Sequence, residues 1–185
     1  MKIKILILLL CFGGLISNSI AQTYISKTAK PFNETVSSAI LPQSKRVSYD
    51  DAFTTLKSLT YNSTNRNLFA GEYFLHDGMI IQVVVITQKN AIYFKPLSEV
   101  QQWSRSMVSG GEDRPINEYF TDYIANYNGL KAYVSYFKDD SNSINFVIQD
   151  NLGRYVIDGT IYHKTTEKNK AVSFTSSFLN SLTFK

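Results

Sequence analysis

The stretch FVIQDNLGRYVIDGTIYH, residues 146–163, shows the organisation of this chain most clearly. Two runs of alternating apolar residues flank a segment, DNLG, whose residue types favour a tight turn. The residues expected to share one apolar face are Ile144, Phe146 and Ile148 in the first strand, and Tyr155, Ile157 and Ile161 in the second. The opposite face carries Asn145, Gln149, Arg154, Asp158 and Thr160. We therefore predict an antiparallel pair with one buried face and one wetter face.

The same alternation extends upstream, so the sequence predicts a four-strand meander. Asn128-Gly129 and the polar segment 138–143 carry the turn chemistry between its strands. The strands are expected at about 119–127, 130–138, 144–149 and 154–162.

A hairpin is predicted in GEYFLHDGMIIQVVVIT, residues 71–87. Asp77-Gly78 between two strand-like runs is a strong signal for a two-residue hairpin turn. The second run, Met79 to Ile86, is apolar at almost every position, which is typical of a strand buried on both faces. It is expected to be a central strand.

Helical spacing is found in two segments before the meander and one after it. Ser48 with Asp51, and Ser98 with Gln101, have the form of capping boxes at the starts of the first two helices. In the first helix, the predicted apolar face consists of Ala52, Phe53, Leu56 and Leu59. The second helix is predicted over 97–108, with Val100, Trp103 and Met107 on its apolar face. In the third helix, that face consists of Phe174, Phe178 and Leu182. Trp103 is expected to anchor the core.

These elements predict an α+β fold in which helices sandwich a central antiparallel sheet of about six strands. A length of 185 residues with 44% hydrophobic residues suits one domain, expected at 47–185. Residues 22–46 contain Pro31 and Pro42 and show no sustained period. They are predicted to form an N-terminal leader with a short strand near 36–41.

The first 21 residues have the pattern of a secretory signal peptide. Lys2 and Lys4 precede an apolar run over 5–16, and cleavage is expected between Ala21 and Gln22. The run is shorter than the roughly 20 residues needed to span a bilayer. We therefore expect an exported protein, periplasmic or secreted, without a transmembrane segment in the mature chain.

The cysteine content and the charge of the chain argue against several kinds of binding site. Cys11 is the only cysteine, and it follows three leucines instead of the small residues of a lipoprotein signal. Its loss with the signal peptide leaves the mature chain without disulfides or a thiolate zinc site. The net charge of +4 falls to +2, because removing two lysines leaves 17 basic against 15 acidic residues. Since the two signs alternate along the chain, we expect no nucleic-acid-binding stripe and no polybasic membrane patch.

The sequence contains no recognisable motif for catalysis or metal binding. His76 adjoins the predicted hairpin turn, and His163 follows a predicted strand, so both are interpreted as structural, with His163 exposed. Asp139, Asp140 and Asn142 lack the glycine and glutamate of a calcium loop. A nucleophile elbow and a glycine-rich phosphate loop are also missing. We therefore predict no catalytic residue, metal or cofactor.

Aromatic residues are abundant, with 12 tyrosines and 12 phenylalanines, and seven of them fall between residues 119 and 137. A tyrosine-rich sheet face can bind a sugar, a peptide or a protein, because each ring combines apolar area with a polar tip. Tyrosine is also common in ordinary strands. The candidate partner-binding residues are Tyr119, Tyr123, Tyr127 and Tyr133.

Residues 70–185 resemble the PsbP-like and Mog-type proteins. Three phrases carry the resemblance: NGLKAYVSYF (128–137) at the start of the meander, GRYVIDGTIYH (153–163) in a later strand, and FLNSLTFK (178–185) at the terminus. The segment before residue 70 departs from the proline-x-x-tryptophan start of that family. The resemblance implies helices around an antiparallel sheet. Its members include photosystem II subunits, a Ran-binding transport factor and exported bacterial proteins, so no functional residue is carried over.

We expect an exported, noncatalytic PsbP-like domain that binds a partner protein or small ligand in the bacterial envelope. One alternative is an enzyme whose site is built from separate strands, with His163 beside an acid. Another is an immunity protein or a secretion accessory. The sequence identifies no partner.

Overall fold

The computed structural model describes residues 30–59, 71–87, 92–110, 115–139 and 142–185. Cys11, the predicted cleavage position between Ala21 and Gln22, and Asp140 lie outside these residues. In chain order the elements are α1 Phe32–Thr35, β1 Val36–Ser38, β2 Arg46–Val47, α2 Tyr49–Leu59, β3 Glu72–His76, β4 Met79–Ile86, α3 Leu97–Ser109, α4 Ile116–Tyr119, β5 Phe120–Tyr127, β6 Leu130–Phe137, β7 Ser143–Gln149, β8 Val156–Tyr162, α5 Lys168–Asn180 and β9 Leu182–Phe184. Short 3₁₀ turns span Gln43–Lys45, Ile92–Phe94 and Thr165–Glu167.

The predicted α+β architecture is confirmed, and its main element is a seven-stranded antiparallel sheet. The strand order is β2-β3-β4-β8-β7-β6-β5. About six strands were expected, and the additional one is β2, whose two residues are too few to show a period of two. A separate antiparallel pair joins β1 to β9 near the two ends of the described chain.

The hairpin and the meander are confirmed. Asp77 and Gly78 have φ of 48° and 79°, the left-handed backbone that a two-residue type I′ hairpin requires. All eight residues of β4 are buried. The turn Asn128-Gly129 repeats the geometry, with φ of 50° and 81°, between β5 and β6.

One face of the sheet packs against α5, α1 and the β1–β9 pair. Phe178 of α5 meets Phe146 of β7 edge to face, with ring centroids 5.6 Å apart. Gly159 of β8 lies opposite Phe146, and its missing side chain leaves room for the Phe146 ring. The predicted apolar face of β7 and β8 therefore faces the main core.

The other face carries α2 and α3 on two separate apolar clusters. Ala52, Leu56 and Leu59 of α2 pack with Tyr73, Ile80 and Tyr162. Leu97 and Val100 of α3 pack with Val84, Ile86, Tyr133, Val147 and Val156. The predicted cap of α2 is present, since the Asp51 N–H donates to Ser48 Oγ at 3.1 Å.

The segment 30–46, which was predicted to belong to an N-terminal leader, contributes side chains to the core. Phe32, Val36 and Leu41 are fully buried in the main cluster. A strand was expected near 36–41, and β1 occupies its first three residues.

The predicted apolar face of α3 is confirmed for the buried Val100 and wrong for Trp103 and Met107. Trp103 is 44% exposed and Met107 is 68% exposed, so neither anchors the core. Ser98 does not cap this helix, which begins after Pro96 without a side-chain cap. Gln101 instead hydrogen-bonds Asp122 on β5. In the third helix, Phe174 and Phe178 are buried as expected, but Leu182 lies in β9.

Within the described parts of the chain, no helix is both long and apolar enough to span a membrane.

Candidate functional site

A continuous row of polar side chains crosses five adjacent strands on the face that carries α2 and α3. Each member lies directly opposite the next in the strand register. From β4 to β5 this polar row consists of Gln82, Thr160, Asn145, Ser135 and Asp122. Directly opposite side chains are close enough to interact, so the register alone brings these groups together.

The polar row is covered at both ends and open in the middle. Gln82 and Ser135 are buried, whereas Asn145 is exposed and Thr160 is half-buried. The helix α2 packs over β3 and β4, and α3 packs over β5 and β6. We call the open part of this face, around Asn145 and Thr160, the sheet groove.

Hydrogen bonds hold the polar row in place. Thr160 Oγ1 donates to Asn145 Oδ1 at 3.0 Å, and the Tyr162 hydroxyl donates to Gln82 Oε1 at 3.1 Å. Within the described chain, the Asn145 Nδ2 group makes no hydrogen bond. A pre-positioned amide donor in an open part of a sheet is suited to bind an acceptor on a ligand.

Asp158 adds a titratable group beside the groove. It lies two residues from Thr160 on the same face of β8, between Val84 and Val147 on the neighbouring strands. Burial raises the pKa of its carboxyl to about 6, although hydrogen bonds from Tyr93 and from the Gly159 N–H favour the charged form. Asp158 can therefore exchange a proton near neutral pH.

The hydroxyl partner of Asp158 comes from outside the sheet. Tyr93 lies in the 3₁₀ turn before α3, and the charge of Asp158 together with burial raises the pKa of its phenol. Gln149 fixes this turn, since its Nε2 donates to the carbonyl oxygens of Tyr93 and Lys95 at 2.7 Å each. The pair is therefore held by three separate segments of the chain.

Arg105 closes the β5 end of the polar row. Its guanidinium makes three hydrogen bonds of 2.7 to 3.1 Å to both oxygens of Asp122, whose side chain is 2% exposed. Burial alone would raise the pKa of Asp122, but the hydrogen bonds from Arg105 and Gln101 lower it overall. This end of the row is a paired ion and not an open binding group.

Both histidines lie outside the sheet groove. His163 is fully buried, which corrects the expectation that it is exposed. Its Nδ1 bonds the Lys164 carbonyl at 2.8 Å, and its buried Nε2 has no hydrogen-bond partner in the described chain. His76 ends β3, where its ring stacks on Phe174 at 4.6 Å and its Nδ1 lies 2.5 Å from Lys45 Nζ. Burial and neighbouring charges lower the pKa of both rings.

The predicted tyrosine surface is not formed. Tyr119, Tyr127 and Tyr133 are 2%, 6% and 3% exposed, so their rings are buried. Tyr123 is half-buried and packs against the main core. Tyr127 lies in the main core and Tyr133 in the cluster under α3, so alternation along β5 and β6 does not bring these rings to an open face.

A concavity of about 470 Å³ lies elsewhere, at the β2 edge of the sheet, with Tyr49 and Tyr73 in its wall. Its charged groups are paired with each other, since Arg46 Nε lies 3.2 Å from Glu72 Oε2. Glu72 also accepts a hydrogen bond from the Phe32 N–H. These contacts stabilise the fold and leave the cleft without an unpaired charged group.

The described residues hold no cluster of three or more histidine, cysteine, aspartate or glutamate side chains that could bind a metal ion. No family model matches the chain, and no curated protein is significantly similar to it.

Sequence reasoning placed Asn145, Asp158 and Thr160 on the wetter face of the meander, and the structure confirms this. It missed Gln82, Ser135 and Tyr93 as their neighbours. The pairing of β4 with β8 joins residues about 80 positions apart, and the sequence carries no local signal for that pairing.

Proposed function

We infer that this chain is an exported, noncatalytic, PsbP-like domain that binds a small ligand in the bacterial envelope, and that the sheet groove is the binding site. The observation that carries this proposal is the polar row, which is open to solvent at Asn145 and Thr160 while its ends are closed. Export is proposed from the sequence of the first 21 residues, and the PsbP-like assignment from the phrases between residues 128 and 185.

The groups in the groove define the class of ligand. Asn145 supplies an amide and Thr160 a hydroxyl, and the buried carboxyl of Asp158 lies beside them. No basic side chain belongs to the open part of the polar row. These groups suit a ligand rich in hydroxyl and amide groups, such as an N-acetylated sugar, and they do not suit a phosphate or a carboxylate.

Affinity capture tests the proposal. The protein is immobilised, exposed to a cell-envelope extract, and the bound small molecules are identified by mass spectrometry. We expect Asn145→Ala to lose the captured ligand, and Asn180→Ala, a matched change on the exposed side of α5, to retain it. Equal capture by both variants would contradict a site in the sheet groove.

An enzyme is the second candidate, because Asp158 and Tyr93 come together from separate segments and the pKa of Asp158 lies near 6. Such a carboxyl can act as a general acid or base. The buried His163 is not part of this cluster. Turnover of a captured ligand that Asp158→Asn abolishes without loss of binding would establish the enzyme. Unchanged ligand after prolonged incubation would leave a binding protein.

A further inference from the structure

The strand β5 forms one edge of the seven-stranded sheet. All eight of its residues pair with β6 on one side, and no described residue pairs with its other side. The opposite edge strand, β2, has only two residues. An open edge of eight residues is a template for another strand, and natural proteins usually protect such edges.

The turn geometry shows which main-chain groups of β5 face outward. Asn128-Gly129 is a two-residue hairpin turn, so Tyr127 and Leu130 close the ladder as a hydrogen-bonded pair. The Lys138 N–H donates to the Tyr119 carbonyl at 2.7 Å, so Tyr119, like Tyr127, directs its carbonyl toward the β6 side. The residues whose N–H and C=O groups point away from β6 are therefore Phe120, Asp122, Ile124 and Asn126.

The usual protections are missing from β5 itself. The sequence FTDYIANY contains no lysine, arginine or proline, and the register with β6 shows no bulge. Its one charge, Asp122, is buried and paired with Arg105. The strand therefore presents an uncharged edge.

Exposed apolar side chains concentrate beside this edge. Of the seven large hydrophobic residues that are exposed in the described chain, four belong to α3, β5 or β6: Trp103, Met107, Ile124 and Phe137. Ile124 lies on the edge strand itself, and the other three belong to α3 and β6, which pack against β5. Apolar area beside an open edge is typical of a protein interface.

The side chains of β5 are self-complementary in one antiparallel register. With a two-fold axis at Ile124, this residue faces its own copy, Asp122 faces Asn126, and Tyr123 faces Ala125. A two-fold axis at Asp122 would instead place two carboxylates opposite each other, which is unfavourable. We propose that β5 pairs antiparallel with β5 of a second copy of this chain, with the two-fold axis at Ile124, to form a continuous sheet across a homodimer.

Proline substitution tests the edge. Proline at Ile124 removes only an outward N–H, so the β6 ladder and the fold are retained. We expect the full chain to sediment as a dimer at micromolar concentration, and Ile124→Pro to raise the dissociation constant more than about tenfold. The control Leu152→Pro changes a more exposed apolar residue, 72% against 37% for Ile124, in the β7–β8 turn and should remain dimeric. Circular dichroism checks that each variant is folded.

Cysteine crosslinking tests the register. In the full chain carrying Cys11→Ala, the two copies of Ile124→Cys would be a hydrogen-bonded pair with Cα atoms about 5.5 Å apart, within the range of a disulfide. We expect rapid oxidation to a covalent dimer. Asn126→Cys, which faces Asp122 of the other copy, should remain unlinked. A monomer at every concentration, or equal crosslinking at both positions, would overturn the proposal.

Discussion

Asp158 gives the sharpest test of the electrostatics of the sheet groove. Burial raises the pKa of its carboxyl from the ordinary 3.8 to about 6. The folded protein therefore binds this proton more tightly than the unfolded chain does. This tighter proton binding raises the free energy of unfolding. The increase is present in full below about pH 4 and is lost as the pH rises through 6.

The size of the effect follows from the shift. A difference of about two pKa units corresponds to about 3 kcal/mol. Asp158→Asn is neutral at every pH and keeps an oxygen that can accept the hydrogen bond from Tyr93. We therefore expect the free energy of unfolding of the variant, relative to the wild type, to increase by up to about 3 kcal/mol between pH 4 and pH 7.5.

Urea unfolding followed by circular dichroism at the two pH values measures this difference. The titration of His163 affects both proteins equally and cancels in the comparison. Asp50→Asn, an exposed change at the start of α2, is the matched control and should shift stability by less than about 0.5 kcal/mol at either pH. A difference between Asp158→Asn and wild type that is the same at both pH values would refute a buried, proton-binding carboxyl.

Three other substitutions test the packing and the charges. Alanine at Gly159 would place its Cβ 2.2 Å from Phe146 Cζ and 2.8 Å from a main-chain oxygen. We therefore expect Gly159→Ala to lower the free energy of unfolding by about 3 kcal/mol and the Tm by roughly 6–12 °C. Part of this loss should be recovered in a Phe146→Leu background. An unchanged Tm would contradict this packing. Burial lowers the pKa of His163, so the folded protein favours the neutral ring. The stabilisation from this neutral ring is present above pH 6.5 and is lost as the pH falls. In urea unfolding, His163→Asn should therefore lose less stability than the wild type between pH 7 and pH 5. Arg105→Gln removes the cation that pairs with the buried carboxylate of Asp122. Because the Arg105 side chain is 40% exposed, we expect a loss of about 1–2 kcal/mol, most of it recovered when Asp122→Asn is added. Equal losses in the single and double variants would rule out this pairing.

Local patterns predicted the elements whose signals are complete within one segment. Asp77-Gly78 and Asn128-Gly129 supply the left-handed backbone of two hairpins, and both are flanked by residues with a period of two. The Ser48–Asp51 cap and the apolar spacing of α2 are similarly local. Each of these elements needs no information from distant residues.

The errors arose where a distant partner decides the outcome. Helical spacing in α3 fits two different faces, and Trp103 is on the one that the structure exposes. The inner face is chosen because Gln101 and Arg105 bind Asp122 on β5, a contact that local spacing does not show. Residues 30–46 form elements of two to four residues, too short to show a period, yet Phe32 and Leu41 are fully buried.

The candidate site was predictable only in part for the same reason. Asn145 and Thr160 share the wetter face of one hairpin, so the sequence places them together. Gln82 joins them through the pairing of β4 with β8, and Asp122 joins them through β6. The continuity of the polar row is a property of the register across five strands.

An NMR titration tests the binding proposal most directly. The labelled protein is titrated with a mixture of soluble fragments of cell-wall peptidoglycan, which carry both hydroxyl and amide groups. We expect concentration-dependent shifts at the Asn145 side-chain amide and at Thr160, and their loss in Asn145→Ala but not in Asn180→Ala. Shifts confined to residues outside the sheet groove, or a spectrum that does not change, would contradict the proposed site and its ligand class.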